Sequence, residues 1–160
     1  MTHTASTYVS TEPRGELASR TLAMPANTNP RGDMFGGWIM SLMDAAGAMT
    51  ANAVTGCPVA TVAVSNMAFL RPVQVGDAVC CYTDLVRIGC TSIALHVEVW
   101  VLRQGRGSRV KVTDAEFVFV ALNESGDPCP ITRTTVVSAS VNAEKHAAEK
   151  ASTAGCASAP

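Results

Sequence analysis

Apolar and polar positions divide the chain into one long helical segment and several strand-like ones. From Gly37 to about Val54 the residues are apolar nearly all round, and a single charge interrupts the run Trp38-Ile-Met-Ser-Leu-Met-Asp-Ala-Ala-Gly-Ala-Met49. This predicts a helix about 25 Å long that is buried on most sides. Gly56-Cys57-Pro58 ends it. Beyond that point the period falls to two. Val59 to Leu70, Ala78 to Arg87, Thr91 to Arg103 and Arg109 to Leu122 are rich in Val, Thr, Ile, Phe and Tyr. They are separated by Val75-Gly-Asp77, Ile88-Gly89, Gln104-Gly-Arg-Gly107 and Glu124-Ser-Gly-Asp-Pro128, so they read as a run of hairpins. A further strand, Glu16 to Met24, precedes the helix and is stopped by Pro25. In the Thr91 to Arg103 strand, Ile93, Leu95, Val97, Val99 and Val101 share one face, and His96 and Glu98 share the other with Ala94 and Trp100.

The order strand, helix, four strands gives an α+β class. A helix apolar on most sides must be wrapped by the sheet on one side and covered by something else on the other. A curved, five-stranded antiparallel sheet around one long central helix, completed by a partner subunit, meets both demands and is the hotdog architecture.

Composition narrows the possibilities. With 160 residues, 48% hydrophobic and 16% charged, the chain can bury one core, expected over residues 15–132. Residues 1–14 are Thr- and Ser-rich, and 133–160 are Ala- and Ser-rich with little bulky apolar content; both read as flexible tails. A formal net charge of -1 and a pI of about 6.3 give no basic surplus for nucleic acid or an anionic membrane. No run approaches the roughly 18 apolar residues of a membrane span, and no signal-peptide core opens the chain, so a cytoplasmic protein is expected. The six cysteines include adjacent Cys80 and Cys81, which a strand would point to opposite faces. Without C-x-x-C or H-E-x-x-H spacing, free and mostly buried thiols and no metal site are expected.

Asp44 is the only charged residue between Asp33 and Arg71. A carboxylate in apolar surroundings costs several kcal/mol, in rough terms, unless it is paired or hydrogen-bonded. Just upstream, Asn29-Pro-Arg-Gly32-Asp-Met-Phe-Gly36-Gly37 reads as a glycine-punctuated loop leading into a helix N-terminus. The structural reading of these residues is a core acid at a subunit interface, a turn-forming asparagine and close helix-to-sheet packing.

Thr21-Leu-Ala-Met-Pro25, Asn29-x-x-Gly32-Asp33-x-Phe35-Gly36-Gly37-Trp38-Ile39-Met40-Ser41-x-Met43-Asp44, Phe69-Leu-Arg-Pro72, Val75-Gly-Asp77, Val79-Cys-Cys-Tyr82 and Val97-Glu-Val-Trp-Val101 together resemble the YciA-type acyl-CoA thioesterases of the hotdog superfamily, from about Leu17 to Ile131. The resemblance implies hydrolysis of acyl-CoA to CoA and a carboxylic acid with no cofactor, CoA being part of the substrate. It also implies that Asn29 and Asp44 are the active-site pair, with Asn29 positioning water or the carbonyl. Gly36 and Gly37 become the oxyanion position, and the assembly becomes a homo-oligomer, a dimer at least and a trimer of dimers, as in a homohexamer.

The residues add a constraint. Free N–H groups at a helix N-terminus suit a developing oxyanion, and Asp44 could serve as general base or as nucleophile. Asp44 nevertheless lies two turns beyond Gly37, ~10 Å along the helix. One helix cannot easily aim both at one carbonyl, whereas two antiparallel helices related by a two-fold axis can, which predicts a site shared between subunits. Arg71, Arg103, Arg106, Arg109 and Lys111 are candidates for the CoA phosphates by charge and position. Met40 and Met43, with Met49, are core filling or an adjustable acyl channel. No G-x-S-x-G elbow is present, His3 and His146 fall in the tails, and His96 reads as structural. The alternatives are a non-catalytic acyl-CoA-binding hotdog protein and an enoyl-thioester hydratase. The latter is disfavoured because the helix region carries no histidine.

Overall fold

The computed structural model describes residues 12–103, 107 and 109–132; both expected tails, apart from residues 12–14, and Arg106 lie outside them. Five strands and one long helix form in the expected order: β1 (Glu16–Leu22), α1 (Gly36–Thr55), β2 (Val59–Phe69), β3 (Ala78–Ile88), β4 (Ser92–Leu102) and β5 (Arg109–Ala121), with a short 3-10 turn at Pro25–Asn27. Helix α1 ends at Gly56, whose φ of 67° takes the left-handed conformation while its N–H donates to Asn52 O. Among the described residues no helix is long and apolar enough to cross a membrane.

All strands pair antiparallel in the order β1-β3-β4-β5-β2. The expected run of hairpins through the four strands after the helix is therefore corrected: β3–β4 and β4–β5 are hairpins, but β2 pairs with β5 rather than β3, and β3 takes β1 as its other neighbour. The segment after β2 crosses the end of α1 to the opposite sheet edge. It is held there by Met34 N–H to Val73 O at 2.8 Å, Ala23 N–H to Asp77 O at 2.9 Å and Gly76 N–H to Ala23 O at 2.9 Å. Asp77, almost wholly buried, accepts from Arg103 and from Gln74 N–H. A turn sequence between two strands thus marks a chain reversal without making the strands neighbours.

The helix touches all five strands and packs on the face carrying Ile93, Leu95, Val97, Val99 and Val101, as their alternation predicts. Gly47 permits this approach: a Cβ there would come within 2.7 Å of the Phe119 ring. Cys81 joins this core, while Cys80 packs with Tyr82 and Trp100 on the other face. Burial pushes the Cys81 thiol up from its ordinary pKa, so it behaves as a small hydrophobe. The expectation of mostly buried thiols is corrected, since Cys90 is exposed and Cys57 and Cys129 are half-buried, although all five described cysteines are free.

Candidate active site

The loop before α1 is built around Asn29. Its Oδ1 accepts from Arg31 N–H at 2.9 Å and Asp33 N–H at 3.1 Å, and its backbone closes the turn through Asn29 N–H to Asp33 O and Gly32 N–H to Asn29 O. Oδ1 is thereby committed to the loop, which leaves the Nδ2 donors for a ligand. The loop delivers the chain into α1 at Phe35, whose carbonyl accepts from Trp38 and Ile39. No side chain caps the helix and no acid sits in its first turn, so the positive end of the dipole is left for an incoming anion. A Cβ at Gly37 would meet nothing within 4 Å, whereas one at Gly36 would come within 3.3 Å of the Phe69 ring. Gly37 therefore opens to solvent, and Gly36 makes room for an aromatic neighbour.

Asn29, Asp33, Met34, Gly36 and Ile39 line one side of a cleft of about 360 Å³; Phe69, Leu70, Arg71, Pro72, Val73 and Val112 complete it. Asp44 is not among the lining residues. It lies two turns further along α1, half-buried rather than buried, which corrects the expectation of an acid enclosed in apolar surroundings. The helix has an exposed strip that includes Gly37, Ser41, Ala45 and Met49, and Asp44 borders it. Its Oδ1 accepts a hydrogen bond from Thr61 Oγ1 at 2.5 Å. Thr61 was missed by the sequence reading, as a lone threonine in a strand carries no signal. A register shift in β2 follows it directly, between Thr61 and Ala63, and bulges of this kind are common beside active sites, where they re-aim side chains.

The remaining candidates separate. Met43 is fully buried and Met40 is 41% exposed. Arg71 borders the cleft and donates to Lys111 O at 3.3 Å. Arg103 is committed to Asp77 and to Pro72 O, and Arg109 stacks over Tyr82 at 5.7 Å. Lys111 lies on the sheet face away from α1, where its Nζ contacts Glu98 at 2.9 Å and Asp114 at 3.2 Å. His96 Nε2 approaches the same carboxylates at 3.4 and 3.3 Å, and Glu98 also accepts from Trp100 Nε1 and Arg14 N–H. Burial alone would push the Glu98 pKa up, but these hydrogen bonds and the Lys111 charge outweigh it and hold the value below the ordinary one. Burial likewise opposes the charge on Lys111, and its two carboxylate partners reverse the effect and raise its pKa. His96, Glu98 and Asp114 bring their ligand atoms within 4.8 Å, yet Lys111 already supplies the cation that these carboxylates need.

A protein-family model described as the thioesterase superfamily matches residues 31–108. The acyl-CoA thioester hydrolase YciA of Salmonella typhimurium is 50% identical over 128 residues, spanning 78% of this chain and 96% of that protein. Among solved structures, a hexameric thioesterase from Yersinia pestis superposes with a TM-score of 0.73 at 48% identity, over 76% of this chain and 98% of that one. A hexameric hotdog-fold thioesterase of Campylobacter jejuni does so with a TM-score of 0.72 at 39% identity, over 76% and 93%.

Proposed function

The chain belongs to the YciA-type acyl-CoA thioester hydrolases of the thioesterase superfamily, and from that premise we propose that it cleaves acyl-CoA to CoA and a carboxylic acid at a site shared between two subunits. Asp44 of one subunit takes a proton from a water molecule, and the resulting hydroxide attacks the thioester carbonyl. The backbone N–H groups at Gly36 and Gly37 of the other subunit hold the developing oxyanion, where an uncapped helix end is already polarised for negative charge. Asn29 holds the carbonyl or the water through its Nδ2. Collapse of the tetrahedral intermediate expels the CoA thiolate, which takes up a proton. Thr61 fixes one carboxylate oxygen of Asp44 and leaves the other for water.

The observation that carries this reading is the separation of the groups. Asn29 and Gly36 border one cleft, and Asp44 does not. On one helix the acid is ~10 Å from Gly37 by rise alone, and it lies beside the exposed strip of α1 that includes Met49; Met40 of the helix and Val62 and Val64 of β2 are also at least 41% exposed. An apolar surface of that kind calls for a covering subunit, and the Yersinia and Campylobacter relatives are hexamers. The hydratase alternative finds no support, because His96 lies on the sheet face opposite α1 with Glu98, Asp114 and Lys111.

The test is Asp44→Asn, which keeps shape and removes the base, assayed with acyl-CoA and a thiol reagent for released CoA. Turnover should fall by ~10² or more, the scale of a general base, with the fold intact by circular dichroism. Near-normal turnover in the folded variant rejects the assignment, and wild-type protein that binds acyl-CoA without releasing CoA rejects hydrolysis.

A further inference from the structure

We infer that Phe69 selects the acyl group: its ring forms the wall of the cleft at the N-terminus of α1, and the acyl substituent of the thioester lies against it. This deepens the proposed function and rests on it. The cleft of about 360 Å³ is lined by Met34, Ile39, Phe69, Leu70, Val73 and Val112, with Asn29, Asp33 and Arg71 as its polar members. An apolar chain fits such a lining, whereas the amide-rich pantetheine arm would leave its polar groups unpaired. The volume is a little more than twice the ~150 Å³ that accommodates benzene in an apolar protein cavity, enough for a short or medium acyl group. Gly36 joins this cleft to the amides assigned to the oxyanion, so a carbonyl held there places its substituent inside.

The position of Phe69 is built rather than incidental. Thr61 pairs with Phe119 and Phe69 with Thr113, positions of β5 on the α1 face, but β2 uses two extra residues to cover that distance, one between Thr61 and Ala63 and one between Ser65 and Ala68. Each extra residue reverses which side chains face the helix. Without the second, Phe69 would turn to the outer face. That second bulge contains Asn66, the only non-glycine residue with positive φ among those described, at 57°, a conformation that asparagine tolerates better than most residues. The ring so aimed meets Gly36, where a Cβ would lie 3.3 Å from its tip, and it remains 49% exposed. A half-exposed aromatic held in place over the reacting end of the site has room to contact substrate.

Two substitutions of opposite sense test the assignment. Phe69→Ala enlarges the cleft and Phe69→Trp reduces it; kcat/KM is measured for straight-chain acyl-CoAs from acetyl upward and for a branched one. The ratio of long or branched to short substrates should rise about tenfold or more in Phe69→Ala and fall in Phe69→Trp, since a methylene in an apolar pocket is worth roughly 10- to 200-fold. Ratios unchanged within about twofold in either soluble, folded variant, or an equal loss for every acyl-CoA, overturn the proposal. Where one variant fails to fold, the other decides. Failure of the shared-site reading is distinguished by Asp44→Asn: if that variant keeps its activity, the catalytic assignment falls, whereas an inactive Asp44→Asn with unchanged Phe69 ratios rejects only the role of Phe69.

Discussion

Replacing Thr61 with valine keeps the β-branched shape that suits a strand and removes only the hydroxyl that donates to Asp44. A hydrogen bond to a charged group contributes about 1.5–3 kcal/mol. If the bond orients the carboxylate during the chemical step, that range corresponds to a loss in kcat of about 10- to 150-fold. Thr61 is exposed in the single chain, where solvent screening places the effect at the low end; a second subunit closing over this face moves it upward. Initial rates over a range of acyl-CoA concentrations should show the loss in kcat with KM little changed. Thr61→Ser, which restores the donor, should recover most of it. A kcat within about twofold of wild type in a folded Thr61→Val variant refutes the orienting role, as does a serine variant as impaired as the valine one.

Two further predictions concern the frame that holds the site. Gly47→Ala places a Cβ 2.7 and 2.9 Å from ring atoms of Phe119, which is fully buried; urea unfolding should show a destabilisation of about 1–3 kcal/mol, as for an overpacked core, and a change below about 0.5 kcal/mol means the ring moves aside freely. The depressed Glu98 pKa makes a contribution to stability that is fully present above the unfolded-state value, about 4.3, and is lost as pH falls through the lower folded-state value. Stability should therefore decline on that acid limb, and Glu98→Gln should flatten it; an unchanged acid limb in the variant contradicts the role assigned to the Glu98 carboxylate.

The helix and the five strands could be read from the sequence because their periods are clean. An almost uninterrupted apolar run from Trp38 to Val54 fits only a helix embraced by other elements, and the alternation of β4 sorts Leu95, Val97 and Val99 from His96 and Glu98. Sheet order was not readable, because the turn at Val75-Gly-Asp77 bends the chain without stating which edge it reaches; contacts of Val73 and Asp77 with the segments around Met34 and Ala23 decide that. Asn29, Asp44, Gly36 and Gly37 stood out as a motif. Thr61 and Phe69 did not stand out as site residues, as their orientation depends on bulges in β2 that leave no regular pattern. The partial exposure of Asp44 was hidden for another reason: composition does not distinguish a helix face left open in the chain from one buried in it.

The central claim is that Asn29 and Asp44 act from different subunits on one substrate. Complementation tests it most directly: Asp44→Asn subunits, inactive alone, are mixed with Asn29→Ala subunits, also inactive alone, under conditions that allow exchange. In a mixed dimer, one site carries both defects and the other carries neither, so activity should return to about a quarter of wild type after random pairing across a two-fold interface. Absence of recovery despite demonstrated subunit exchange would mean that both residues serve one site within one chain, contrary to the helix-pairing geometry.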